Sequence, residues 1–266
     1  MPNECWSELA VYGPRTCVLA FKASATGLGL GPFIASVADE VKLIKLIDSG
    51  VGIQRAAKLV ETERGYKISA PLRRNYSRWK KEIRDRLARE EKTYASARRK
   101  ALKNPNPLDL NQLLPLPSEV CARGTQEILC WRADNWGTKW NTWDVIVEPI
   151  RRLPEGMARL QYSFMTAWSE PIGAIARASK SHRALSFVLA GIDVSSSPDF
   201  TSHLICRGRV RTWRMPEKVW QKHAEMETDG ENEYLASYQP RFMSALLEHW
   251  KKVVSSNATL IARARS

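Results

Sequence analysis

Histidine is scarce, with four in 266 residues, and cysteine is nearly so, with five. His182, His203, His223 and His249 form no HxH or HExxH spacing, so the sequence lacks the signature of a histidine-based metal or endonuclease site. Cys5, Cys17, Cys121, Cys130 and Cys206 make an odd count without a CxxC pair. That pattern argues for reduced thiols in a cytoplasmic protein and against a disulfide scaffold or zinc ribbon. No apolar run approaches the roughly 18 residues of a membrane span. The opening Met1–Trp6 lacks the basic start and apolar stretch of a secretory signal. No glycine-rich loop ends in Lys followed by Ser or Thr, and Ser195–Ser197 lacks the Gly-x-Ser-x-Gly setting of a nucleophile elbow. Asp134, Asp144, Asp193 and Asp199 have no spacing that demands a divalent metal, and Cys130 beside Trp131 reads as a buried thiol. The expectation is a protein with no cofactor, no metal and no membrane partner, and more a binder than an enzyme.

What the chain does have is positive charge, and it is concentrated. A hydrophobic fraction of 44% is enough for a sizeable core, and the net charge is +13. Residues 39–103 hold 19 Lys and Arg against 9 Asp and Glu, so about a quarter of the chain carries most of the excess. Such a segment is the electrostatic footprint of a polyanion binder, because each neutralised phosphate releases counterions. A merely solvated basic helix would look the same on charge alone.

The periodicity of that segment is helical. Val37, Val41, Ile44 and Ile47 share one face, Ser49–Gly52 stops the helix, and a second short helix runs from Ile53 to about Val60. A third starts near Pro71 and continues to about Leu102, with Leu72, Tyr76, Trp79, Ile83 and Leu87 as its buried stripe. Helix, glycine turn, short helix with paired alanines and then a basic helix is the order of a helix-turn-helix. Arg73, Arg74, Asn75, Ser77 and Arg78 then lie where such a helix touches base edges, and Arg and Asn pair bidentately with guanine and adenine. Lys80, Lys81, Arg84 and Arg86 are the candidate phosphate contacts. The connection at Glu61–Ala70 is longer than the usual turn of about three or four residues.

Flanking this insertion, strands are expected at Cys5–Tyr12, Trp143–Ile150, Ala158–Trp168, Ala184–Gly191 and Thr201–Val210. Helices are expected at Cys17–Ala25 and Ile172–Ser179, a loop at Leu108–Pro117, and two helices after Pro216 and Pro240. Three stretches carry a family resemblance. They are Met1–Cys5 with Leu9, Val11 and Gly13-Pro14; Leu108–Pro117; and Trp131–Asn141 followed by Phe164–Pro171. Together they resemble the YubB/Api92-type ferredoxin-like domain family of plasmids and phages. The strings Asn135-Trp136-Gly137-Thr138-Lys139-Trp140 and Thr166-Ala167-Trp168-Ser169 are the specific part, and the resemblance gives them a structural role. It departs after the last family helix, where Ile192–Phe200 is serine-rich and carries only Asp193 and Asp199 as acids.

The resemblance implies an α+β protein. A split ferredoxin-like sandwich (1–25 and 108–210) is interrupted by a basic, helix-turn-helix-like insertion (36–103) and followed by a helical C-terminal extension (211–266). It brings no chemistry with it. The expected function is double-stranded DNA binding, as a transcriptional or accessory regulator of a mobile element. Phe242, Leu246, Leu247, Trp250 and Val254 form an apolar stripe that suits docking or homodimerisation. Two other classes stay open: a protein-interaction module that inhibits a host defence complex, and a metal-dependent nucleic-acid-processing enzyme. Trp131, Trp136, Trp140, Trp143 and Trp168 admit two readings, nucleobase stacking or core sealing, and core sealing is preferred. Trp136 and Trp140, four apart, are expected to share a helical face.

Overall fold

A computed structural model describes residues 4–31, 38–64, 75–193 and 200–214. The candidates Arg73 and Arg74, and the apolar stripe from Phe242 to Val254, lie outside the described residues. The chain divides into two compact units. One comprises Met1–Gly29, Pro105–Pro117 and Leu129–Ser266, the other Leu30–Asn104 and Ser118–Ile128. The described residues are α+β.

The first unit is built on an antiparallel sheet. Its strands are β1 (Glu4–Pro14), β2 (Trp143–Val147), β3 (Arg151–Arg152), β4 (Met157–Ala167), β5 (Ser186–Asp193), β6 (Phe200–Cys206) and β7 (Arg209–Arg214). They run in the order β2-β4-β1-β5-β6-β7, with β3 paired to the end of β4. β1 is central, in unbroken register with β4 from Glu4↔Ala167 to Pro14↔Met157. Strict alternation explains its place: Cys5, Ser7, Leu9 and Val11 are buried on one face, and one residue's slip would turn them all outward. Helix α1 (Arg15–Ala25) sends Val18, Phe21 and Ala25 into the core, and α8 (Ile172–Ser181) sends Ile175 and Ala178. There they meet Leu9, Leu160, Phe164, Phe187, Leu189 and Ile205. Phe21 stands edge-on to Phe187, with ring centroids 5.1 Å apart, a favoured quadrupole arrangement.

Several sequence expectations change here. The strand expected at Thr201–Val210 is a hairpin, because Arg207 and Gly208 both take positive φ (51° and 79°) and form a two-residue turn; its second strand takes 211–214, expected to open the helical extension, whose remainder lies outside the described residues. Leu108–Pro117 is not wholly loop, since Asp109 caps the single turn α5 (Leu110–Leu113) by accepting from the Asn111 amide. Two further helices, α6 (Ser118–Arg123) and α7 (Thr125–Trp136), precede β2. α7 stops at Trp136 because Gly137 turns to φ 90°, so Trp136 and Trp140 do not share a helical face. Cys130 is exposed rather than buried.

The longer of the two excursions from the first unit, Leu30–Asn104, leaves and returns at one place. Gly27 and Asn106 form an antiparallel bridge, with N–H···O distances of 3.0 and 2.7 Å. The buried Asp109 carboxylate accepts from the Gly29 amide (2.9 Å), the Asn111 amide (2.9 Å) and Asn141 Nδ2 (2.7 Å). Asn106 Nδ2 donates to the Thr142 carbonyl, and the Thr142 hydroxyl donates to the Leu108 carbonyl. The Leu108–Pro117 block and the Asn141 end of the tryptophan motif thus act as one polar staple.

In the second unit, α2 (Ala38–Asp48), α3 (Ile53–Arg64) and α4 (Tyr76–Lys103) share a small core. Leu43, Ala56 and Val60 are buried with Tyr76 and Trp79 against them, and Ile44 meets Ile83, Trp79 and Leu87. Alanine at position 56 leaves room for the close approach. The turn after α2 is a Schellman cap: Val51 N–H reaches the Leu46 carbonyl and Gly50, at φ 92°, reaches Ile47.

Candidate nucleic-acid interface

α4 has 28 residues and projects about 42 Å at 1.5 Å per residue. Asn75 begins it, its side-chain oxygen accepting from the Arg78 amide at 3.4 Å, which is a conventional N-cap role. Tyr76, Trp79, Ile83 and Leu87 pack toward α2 and α3. At 100° per residue, Arg78, Lys81, Arg89, Lys92, Arg99, Lys100 and Lys103 then fall within an arc of about 100° opposite that stripe. All seven are exposed. The only carboxylates on the arc are Glu82 and Asp85, and from Lys92 to Lys103 the helix carries five cations and no acid.

The candidate residues on α4 are placed differently from one another. Ser77 is exposed. Arg78 pairs with Glu82 at 3.1 Å and Arg86 with Glu90 at 3.2 Å, each one turn apart on the helix surface. With Arg78 and Glu82 77% and 61% exposed, that pair costs little to open. Lys80 is not part of the free face. Its ammonium sits 2.5 and 2.7 Å from the two oxygens of Asp48, the last residue of α2, and its side chain is only 21% exposed. Tyr76 donates its hydroxyl to the same carboxylate at 3.3 Å, and Arg84 Nη2 lies 3.6 Å away. The hydrogen bond from Lys80 holds the Asp48 carboxyl below its ordinary range, and its partial burial and the Asp48 charge push the Tyr76 phenol up. Asp48 is therefore a hub that fixes α4 to α2. Among the described residues, Lys81, Arg89, Lys92, Arg99, Lys100 and Lys103 have no carboxylate partner. Sequence reasoning singled out only Lys81 of these six; the acid-free run after Glu91 was the available signal.

The tryptophan motif divides as well. Trp136 is fully buried against Leu110 and Ala174, donates Nε1–H to the Leu114 carbonyl at 2.8 Å, and carries the Arg132 guanidinium 4.8 Å from its ring centroid. Trp140 and Trp168 are 43% and 44% exposed. Lys139 Nζ stands 4.7 Å from the Trp168 ring centroid, and Trp140 leans on Trp143 with centroids 6.1 Å apart. Hydrogen bonds lock the two loops together: Thr138 donates to the Ala167 carbonyl at 2.7 Å, Thr166 to that of Ser169 at 2.9 Å, and Ser169 to that of Gly137. A side chain at Gly137 would meet the Glu170 carbonyl at 2.8 Å. Trp168 sits at φ 76°, where bulky residues are outliers, at a cost of order 1–3 kcal/mol.

No family model matches the sequence, and no curated protein matches it. A solved structure is similar to it. The crystal structure of a protein api92 from Yersinia pseudotuberculosis, assigned to family model DUF1281, is similar at a TM-score of 0.43 and 11% identity. That likeness covers 81% of this chain and 99% of that one.

The catalytic alternatives gain no geometry. Among the described residues, no group of three or more His, Cys, Asp or Glu is placed to hold a metal ion. Asp134 and Asp144 are exposed, and the side chains of Asp193 and Asp199 lie outside the described set. His203 is buried, with Nδ1 3.0 Å from the Thr212 hydroxyl and Nε2 3.8 Å from Glu170, whose carboxylate also accepts from Thr201. Burial pushes the Glu170 pKa up, but these neighbours outweigh it and leave it lowered. His182 packs on Phe21 and is pulled down by burial. No described helix is long and apolar enough to cross a membrane.

Proposed function

We propose that this protein binds double-stranded DNA through α4, as a transcriptional or accessory regulator. The observation that carries the reading is the arc of seven exposed cations opposite the packed stripe, six of them without a carboxylate partner among the described residues. An arc about 37 Å long matches more than one turn of duplex backbone, whose charges recur every 1.7 Å of axis. The three-helix packing through Ala56 and Val60 supports a helix-turn-helix reading in which the start of α4 meets base edges. In this reading Lys80 orients α4 through Asp48, and the phosphate grip falls to Lys81, Arg89, Lys92, Arg99, Lys100 and Lys103. Arg78 can exchange its exposed partner Glu82 for a phosphate, whereas Arg86 is held by the half-buried Glu90.

The first unit is proposed to be a split ferredoxin-like sandwich. The strand order β2-β4-β1-β5, with α1 after β1 and α8 between β4 and β5, supports that reading together with the sequence resemblance. Its part would be to hold the insertion. Binding-site selection from random duplexes at two salt concentrations tests the function. The expected result is an enriched sequence whose enrichment weakens in Arg78→Ala, with affinity falling as salt rises. Affinity that ignores salt and is unchanged in Lys81→Ala/Lys92→Ala/Lys103→Ala would set the reading aside in favour of a protein-interaction module.

A further inference from the structure

We infer that Trp168 and Lys139 form a second site, independent of α4, that grips a nucleotide by stacking its base and holding its phosphate. Trp168 occupies a backbone position unusual for a bulky residue. The left-handed turn at position 168 suits glycine, which adopts it without strain. The chain instead puts there its largest side chain, at φ 76°, and leaves 44% of it in solvent. Burial of the remainder contributes about as much as the strain costs, so stability alone gives no reason for the exposed part of the ring. Strained residues that their surroundings hold in place cluster at binding sites.

The surroundings do hold it. Thr138, Thr166 and Ser169 each donate to a carbonyl of the opposing or adjoining backbone, so the 137–142 and 168–171 loops form one rigid ledge. Lys139 is exposed and carries its ammonium 4.7 Å from the Trp168 ring centroid. Trp140, exposed beside it in sequence, is braced by Trp143. A cation held over one part of a half-exposed indole repels cationic ligands and suits a planar ring with an anion attached. That is the chemistry of a nucleotide, and aromatic platforms next to cations are how single strands are held. Among the described residues, none of these four side chains has another partner.

The test uses the full chain carrying Arg99→Ala/Lys100→Ala/Lys103→Ala, which weakens the α4 arc, and dependence on Trp168 scores this site separately from the duplex reading. A fluorescein-labelled single-stranded ten-mer is titrated by anisotropy at fixed salt, with AMP as competitor, for Trp168, Trp168→Gly, Trp168→Phe and Lys139→Ala. The expected result is ten-mer affinity at least about tenfold weaker in Trp168→Gly, within about threefold of the parent in Trp168→Phe, and less salt-dependent in Lys139→Ala. Circular dichroism at the assay temperature checks that Trp168→Gly remains folded. Displacement by millimolar AMP identifies the ligand as a free nucleotide, and its absence as a strand; either result supports the site if it depends on Trp168. Ten-mer and AMP binding that ignore Trp168→Gly would overturn the proposal, as would a loss in Trp168→Phe as large as in Trp168→Gly.

Discussion

Neutralising the end of α4 gives a quantitative test of the cationic arc. Each phosphate neutralised on B-DNA contributes about −0.9 to the slope of log K against log salt, so seven contacts give a slope of about −6. Raising salt fourfold, from 50 to 200 mM, then weakens binding by nearly four decades. Arg99→Ala/Lys100→Ala/Lys103→Ala removes three contacts, leaving a slope of about −3.6 and a loss of only about two decades over the same range. Alanine is the best helix former, and all three positions are exposed, so α4 should stay helical. Fluorescence anisotropy of a labelled 20-base-pair duplex, read at five salt concentrations, gives both slopes. Circular dichroism of the variant confirms its helix content. A triple variant with intact helicity whose slope stays within about one unit of the parent refutes the placement of DNA along this arc.

Other expected outcomes concern what holds the pieces in place. Trp136→Ala should cost about 3–5 kcal/mol in urea unfolding, since it empties a fully buried site and orphans the Leu114 carbonyl; a loss below about 1 kcal/mol would mean the site is not core. Asp109→Ala strands three donors and should cost about 3 kcal/mol or more by the same measurement. Because the Asp48 carboxyl is held below its ordinary 3.8, its contribution is complete above that pH and is lost as pH falls through its lowered value. The melting temperature should therefore drop in acid more steeply for the parent than for Asp48→Asn, and parallel curves would show that the hub is not formed.

Most of the sheet was legible in the sequence because its strands obey simple rules. The alternation of Cys5, Ser7, Leu9 and Val11, and of Leu160, Tyr162 and Phe164, survives unchanged as the buried face. The helices of the second unit were legible from period and glycine stops, and of the expected stripe Tyr76, Trp79, Ile83 and Leu87 pack together, Leu72 lying outside the described residues. What was not legible depends on pairs far apart in sequence. Lys80 reads as one cation among many until α2 brings Asp48 to it across 32 positions. Asp109 and Asn141 look like loop polars until the staple joins them. Trp136 and Trp168 belong to one motif in sequence yet differ entirely in exposure, because Gly137 ends a helix between the first and the loop that follows it.

The bridge between Gly27 and Asn106 has an evolutionary corollary. Because departure and return points are hydrogen-bonded neighbours, the host sheet experiences everything between them as one long hairpin tip. Closing a tip of about 75 residues rather than a four-residue one costs only about 2–3 kcal/mol in chain entropy. Whatever is spliced there can be lengthened, exchanged or retargeted without renegotiating the strands beneath. The sheet is in that sense a socket, and a different cargo could be fitted to it while the polar staple that seals the joint stayed the same.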